Sequence, residues 1–278
     1  MKFGIFVPAF HEFADPHAVR ELALSAERAG WDGFFLWDHM LSEPDFEVAD
    51  PWISMAAIAS VTSTLRLGAM VTPLARRRPW VLARQIATLD LLSRGRLTVG
   101  VGLGDDGWRE FSAFGESVEA QKRAQLLDEG LELLRLFETG RPVDYRGHNY
   151  EVHSPAFLPR PFQGTVPIWV AGRWPNRRPL ARAARYEGFF PIFAGAEPPS
   201  APPRREIDEI VRLLPKTQAP FDLVIRYAMS LSQDPVKEVR ALEDAGVTWV
   251  LESFGAFGPQ ASVIREVVAA GPAGRVHS

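Results

Sequence analysis

The sequence predicts an α/β chain whose eight strand–helix units close into a TIM barrel, a (β/α)8 ring with a small hairpin inserted between strands 4 and 5. Three observations carry this prediction. Short apolar runs alternate with longer stretches of helical period along nearly the whole chain. Several of the short runs are apolar at every position, as strands covered on both faces of a parallel sheet must be. These runs also finish in polar or ionisable residues: Asp38-His39, Thr72, Gly102 to Asp106, Gly172-Arg173, Ser230 and Glu252-Ser253. A barrel opens its active-site mouth at those C-terminal strand ends.

In order, residues 2–7 read as a strand ending at Pro8. Residues 16–29 carry Val19, Leu22, Ala23 and Ala26 at helical spacing, with Gly30 as the stop. The second strand, 33–37, holds Phe34, Phe35, Leu36 and Trp37, and runs into Asp38 and His39. A helix over 50–63 has Pro51 at its first position. Strand 65–71, helix 79–92, strand 96–101 and helix 118–137 complete four units. "VDYRGHNYEV", within 141–165, alternates around Arg146-Gly147 and reads as the inserted hairpin. Strand 166–171, helix 178–186, strand 188–193, the proline-rich loop "EPPSAPPRR" and a helix over 206–214 follow. Strand 221–229, helix 235–245, strand 247–251 and helix 261–270 end the chain. Eight units fit 278 residues, since such a barrel takes about 250 residues plus insertions, and residues 1–278 read as a single domain.

A doubly wound open sheet is the main competitor, because "GLGDDG", Gly102 to Gly107, matches the G-x-G-x-x-G dinucleotide pattern. That match follows the fourth strand instead of the first. It sets Asp105 and Asp106 where a pyrophosphate would sit, and no helix starts directly behind it. Alone it is weak evidence.

Composition excludes several classes. Net charge is −3, with a pI near 6.1, so no broad basic surface for nucleic acid is implied. There are no cysteines, which removes disulfides, thiolate metal sites and a thiol nucleophile. No apolar run approaches the 18 or so residues of a membrane span, and Pro8 interrupts the N-terminal run before it resembles a signal peptide. A cytoplasmic protein without a membrane partner is the expectation.

Asp38-His39 is the pair with the least structural excuse. A metal site finds little support, since neither H-x-H nor H-E-x-x-H spacing occurs; G-x-S-x-G, the turn of a serine hydrolase, is also absent. The plain alternative makes Asp38 a loop or capping carboxylate and His39 a hydrogen-bonded structural histidine.

Three blocks sharpen the choice: "AERAGWDGFFLWDHM", "LRLGAMVTPLARRRPWVLARQIATLDLLSRGRLTVGVGLG" and "VPIWVAGRWPNRRPLARAARYEGFFP". Over residues 1 to about 255 the chain resembles the bacterial luciferase-like flavin-dependent oxidoreductases, TIM barrels that use FMN or the deazaflavin F420. The resemblance implies that Asp38 and His39 are the catalytic pair beside the flavin ring. His39 would be the acid/base or oxyanion-stabilising group, as imidazole titrates near neutral pH. Ala69-Met70 would fall at the bulge where F420-type relatives carry a non-proline cis peptide, and Thr72 would hydrogen-bond the ring. Gly102 and Gly104 would let backbone approach the cofactor. Ala171, Gly172 and Arg173, with Asn176, Arg177 and Arg178 opening the next helix, would meet its phosphate. The plain reading of those arginines is a solvated helix face.

The pattern is not followed throughout. Asp105-Asp106 stands near where many F420 relatives have Gly-x-Gly-Glu, so Asp105 is the candidate substitute for that glutamate. "RWPNRRPL" is bulkier and more basic than the common phosphate loop, and residues 194–205 make a short, proline-rich substrate lid.

The expected activity is therefore that of a luciferase-like monooxygenase using reduced FMN and O2 on a small organic substrate. A separate flavin reductase would be a partner, and a homodimer is expected because helices 50–63 and 79–92 are apolar enough to pair. The first alternative is F420-dependent hydride transfer. A non-catalytic flavin-binding protein is the second, and a metal-dependent hydrolase or sugar-phosphate isomerase on the same fold the third. Trp37, Trp108, Trp174 and Phe193 are candidate apolar walls.

Overall fold

The computed structural model describes residues 1–42, 46–194, 200–214, 220–255, 258–273 and 275. Its strands, in chain order, are β1 (Lys2–Val7), β2 (Gly33–Leu36), β3 (Arg66–Ala69), β4 (Thr72–Pro73), β5 (Val99–Gly102), β6 (Val143–Arg146), β7 (Glu151–Ser154), β8 (Ile168–Arg173), β9 (Gly188–Ile192), β10 (Asp222–Tyr227) and β11 (Trp249–Ser253). The helices are α1 (Pro16–Arg28), α2 (Pro51–Ala59), α3 (Pro79–Ser93), α4 (Ala120–Glu138), α5 (Arg177–Ala183), α6 (Arg204–Leu213), α7 (Pro235–Asp244) and α8 (Ala261–Ala270).

All strands except β6 and β7 pair in parallel, in the order β3-β2-β1-β11-β10-β9-β8-β5-β4. The two ends of that order meet. Leu67 N donates to Arg96 O at 2.9 Å and Thr98 N to Leu67 O at 2.8 Å, so β3 is tied to the residues leading into β5 and the ring closes. With β4 as the continuation of β3, this is the expected (β/α)8 barrel. The antiparallel β6–β7 hairpin lies between the fourth and fifth ring strands, as its turn chemistry predicts.

Strand alternation divides the apolar residues into two cores. Phe6, Phe35, Met70, Trp169, Ala171, Phe190, Val224, Trp249 and Leu251 fill the ring. Phe34, Leu36, Leu67, Val99, Val170, Ile225 and Val250 point outward into a larger core under the helices. Both faces of each strand are thus buried, which is why the strands read as continuous apolar runs. The helix starts are written locally. Asp15, Asp50 and Asp234 each accept a backbone N–H of the first turn, and each is followed by proline.

Several boundaries differ from the sequence reading for physical reasons. The third strand is broken: the Met70–Val71 peptide is cis, one bond beyond Ala69-Met70, and pairing resumes at Thr72. The fourth strand starts at Val99, because Leu97 and Thr98 are spent closing the ring against β3. The eighth runs on through Glu252 and Ser253, opposite Ile5 and Phe6 of β1, since ladder bonds continue past the apolar run. Of the proline-rich lid, residues 195–199 lie outside the described residues.

Candidate active site

The C-terminal strand ends gather the polar residues singled out above on one rim, and the loop following β5 connects its two sides. Asp105 in this loop pairs with Arg173 at the end of β8, at 2.5 Å. Glu110, further along it, holds His39 after β2: His39 Nδ1 lies 2.9 Å from Glu110 Oε2. The loop is fixed by its own polar groups. Asp106 Oδ1 accepts from Phe111 N at 2.8 Å and Ser112 N at 3.0 Å, and those N–H groups hold its carboxyl below the usual range. Arg123 donates to Gly104 O at 2.9 Å. The Gly107 N–H of the dinucleotide-like pattern is taken by Asp105.

Glu110 is almost fully buried. It accepts from Met40 N and Leu41 N, and Arg76 Nη1 lies 3.1 Å away. Burial works to raise its carboxyl. The hydrogen bond and charge of His39, the Arg76 guanidinium and the Met40 N–H outweigh that and hold it below the usual carboxylate range. A carboxylate only accepts, so Nδ1 carries the proton in this bond, and Nε2 is the ring nitrogen that Glu110 does not engage.

Asp38 does something else. Its side chain has no exposure. It accepts from Thr72 Oγ1 at 2.8 Å, from Arg76 Nη2 at 3.1 Å and from Arg77 Nη2 at 2.9 Å to each oxygen, with Trp52 Nε1 at 3.4 Å. Strand alternation explains the split: Phe35 and Trp37 face the ring, Phe34 and Leu36 face the helices, and Asp38 follows the outward set. A catalytic role for Asp38 does not fit this geometry. It is a buried anchor for two arginines, and the Thr72 hydroxyl proton is committed to it.

The other expected residues separate in the same way. Met70 and Ala171 face into the ring, whereas Ala69 belongs to the outer core. A Cβ on Gly102 would sit 3.0 Å from Val71 Cγ2, and Gly104 has φ of 73°. Gly172 faces α5, where a Cβ would lie 2.1 Å from Pro179 Cβ, so this glycine serves packing. Arg173 is 78% exposed. Asn176 caps α5 through Arg178 N at 3.1 Å, and Arg177 pairs with Glu209 at 2.8 Å.

Three aromatic rings stand against the His39 imidazole at this edge of the mouth. His39 is 4.7 Å from Trp108, 5.7 Å from Trp37 and 5.7 Å from Phe10, centroid to centroid. Phe10 also meets Trp108 at 5.8 Å and Trp37 at 6.0 Å. Glu110, Phe10, Arg76 and Arg77 were not legible as site residues. Glu110 sits in an irregular loop and Phe10 beyond the end of a strand, where no period marks a direction. Among the described residues there is no group of three or more histidines and carboxylates able to hold a metal, and no helix is long and apolar enough to cross a membrane.

A closed parallel ring with an ionisable rim defines the class, and the comparisons define the family. Residues 1–256 match the family model described as luciferase-like monooxygenase, and the chain belongs to that family of enzymes. The F420-dependent glucose-6-phosphate dehydrogenase of Amycolatopsis mediterranei is 34% identical over 164 residues, 58% of this chain and 49% of that protein. The chain spans about half the length of the first curated relatives it matches. Among solved structures, an F420-dependent secondary alcohol dehydrogenase in complex with an F420–acetone adduct superposes with a TM-score of 0.76 at 18% identity, covering 99% of each chain. A monooxygenase from Streptomyces bottropensis gives 0.67 at 25% identity, over 88% of this chain and 79% of the other.

Proposed function

We propose that this chain is an oxidoreductase that transfers hydride between the deazaflavin F420 and a small organic substrate. The observation that carries the proposal is the rim histidine whose Nδ1 is held by a buried carboxylate, leaving Nε2 for a substrate oxygen. The 34% identical relative named for F420 dependence supports the deazaflavin reading.

The rim fits a tricyclic ring and its phosphate. Gly102 and Ala171 leave the β5–β8 wall low, and two buried polar atoms near the strand ends, Trp37 Nε1 and Ser253 Oγ, lack partners among the described residues. Arg173, exposed and paired with an exposed Asp105, is available to a phosphate oxygen; Arg177 and Arg178 stand close by in sequence. When bound, F420 supplies the hydride acceptor or donor. His39 would take the proton from a substrate hydroxyl through Nε2, or return it to a carbonyl, with Glu110 stabilising the imidazolium. The aromatic rings beside His39 exclude water.

The second reading is the FMN-dependent monooxygenase, favoured by the 25% identity to the Streptomyces enzyme; it brings with it O2 and a separate flavin reductase. The test is equilibrium titration with F420 and with FMN, each followed by desalting and an absorbance spectrum. Retention of F420, and anaerobic oxidation of its reduced form only when a substrate is added, is expected. Retention of FMN alone, with oxygen consumption on reduction, would transfer the assignment to the second reading. Retention of neither would end both.

A further inference from the structure

We propose that the rings beside His39 form the substrate subsite, and that this subsite takes an uncharged hydrocarbon ring or branched chain bearing the reacting oxygen, not a sugar phosphate. The inference rests on the oxidoreductase reading above and names its substrate class.

The geometry is that of a half-cage. Phe10, Trp37 and Trp108 come from three separate segments, namely the ends of β1 and β2 and the loop after β5, and converge on one imidazole. Phe10 is 2% exposed and Phe6, behind Trp37 at 5.5 Å, is 5% exposed, so the floor is dry. Trp37, Trp108 and His39 remain half-buried, so the rings still present a surface to the mouth. Apolar surface of this kind, next to one hydrogen-bonding group, fits a neutral body with a single hydroxyl or carbonyl.

The charges behind the cage are already used. Arg76 and Arg77 are buried and paired with Asp38 and Glu110. Arg226, on the inward-facing register of β10, stands three strands away from β2 around the ring and has an interaction of its own. A phosphate beside His39 would be desolvated against three aromatic rings, with the carboxylate of Glu110 beneath. A charge buried without a partner is strongly disfavoured. Arg109, the exposed residue between Trp108 and Glu110, is the cation that could reverse this argument, and it enters the test as a control.

The test uses binding, so it does not depend on turnover. The full chain, alone and loaded with oxidised F420, is titrated calorimetrically with acetophenone, which an oxidised cofactor cannot reduce, and with glucose 6-phosphate. Acetophenone is expected to saturate both forms, with glucose 6-phosphate neither binding nor competing. Trp108→Ala is expected to weaken acetophenone roughly tenfold, the loss of one well-placed aromatic contact. Trp108→Phe should recover most of the affinity, and F420 affinity should move less than twofold in both. Arg109→Ala should leave acetophenone unchanged. Tighter binding of glucose 6-phosphate, abolished by Arg109→Ala, would overturn the subsite, as would acetophenone affinity indifferent to Trp108→Ala. Acetophenone binding that survives in a protein unable to hold F420 or FMN would sustain the subsite and overturn the oxidoreductase reading instead.

Discussion

Asp38 and His39 are adjacent in sequence, yet they face opposite sides of one strand end and carry different loads. Asp38 holds two buried guanidiniums. Removing one partner of a buried ion pair leaves the others uncompensated, at a cost of about 3–5 kcal/mol. Asp38→Ala should therefore lower the urea midpoint by an amount corresponding to about that figure; a loss of activity at unchanged stability would instead return Asp38 to the chemistry. Glu110 acts on His39 alone among the rim's acid/base groups. Glu110→Gln keeps the shape and removes the charge that stabilises a protonated imidazole. On the proposed function kcat should fall on the order of 10²-fold, the scale of general acid–base assistance, with cofactor affinity unchanged. An unchanged pH–rate profile and kcat in that variant would show that Glu110 is only a structural brace.

At the level of elements, the wall made by β3 and β5 has no room for a side chain at two of its glycines. A Cβ on Gly100 would sit 2.3 Å from Met70 Sδ and 2.5 Å from Ala69 O, and one on Gly68 would sit 2.5 Å from Thr98 O. Backbone oxygens cannot move aside as a side-chain end can. Gly100→Ala should destabilise by about 1–3 kcal/mol, the usual cost of overpacking. Thermal unfolding within 1 °C of the parent would show that the two strands can part. The opposite, N-terminal face is secured differently. Arg96 donates to Ala59 O, Thr62 O, Leu65 O and Ser93 O, tying the C-terminal ends of α2 and α3 to the ring. That explains a half-buried arginine at the face opposite the candidate site.

One buried carboxyl makes the stability of the whole molecule depend on pH. Glu252 follows inward-facing Leu251 on β11 and so points toward the helix layer, where Ser230 Oγ at 2.7 Å and Ser230 N engage it. Burial raises its pKa to about 7, with the Ser230 hydroxyl and the Ser230 and Met229 N–H groups offsetting part of that rise. Because the folded value lies above the unfolded one, the native state binds the extra proton between them. The contribution is full below the ordinary carboxyl range and lost as pH rises through about 7. Glu252→Gln should remain neutral throughout. Its unfolding free energy should exceed that of the parent at pH 8 by on the order of 3 kcal/mol, and the difference should nearly vanish at pH 4. Denaturant curves at the two pH values decide this, and a pH-independent difference would rule it out.

The sequence by itself determined the ring: which runs are strands, that both of their faces are covered, and that Asp38, His39, Thr72 and Arg173 stand at C-terminal ends. Periodicity is a local property, and a barrel turns strand order into position without needing to know any contact. Only the tertiary structure decided which of those residues work together. His39 meets Glu110 across 71 positions and Phe10 across a strand end, Asp38 turns away to Arg76 and Arg77, and Gly172 turns to Pro179. Those pairings come from loops with no repeating period. Their course is fixed by where the closed ring brings their ends and by the need of each buried charge for an opposite one.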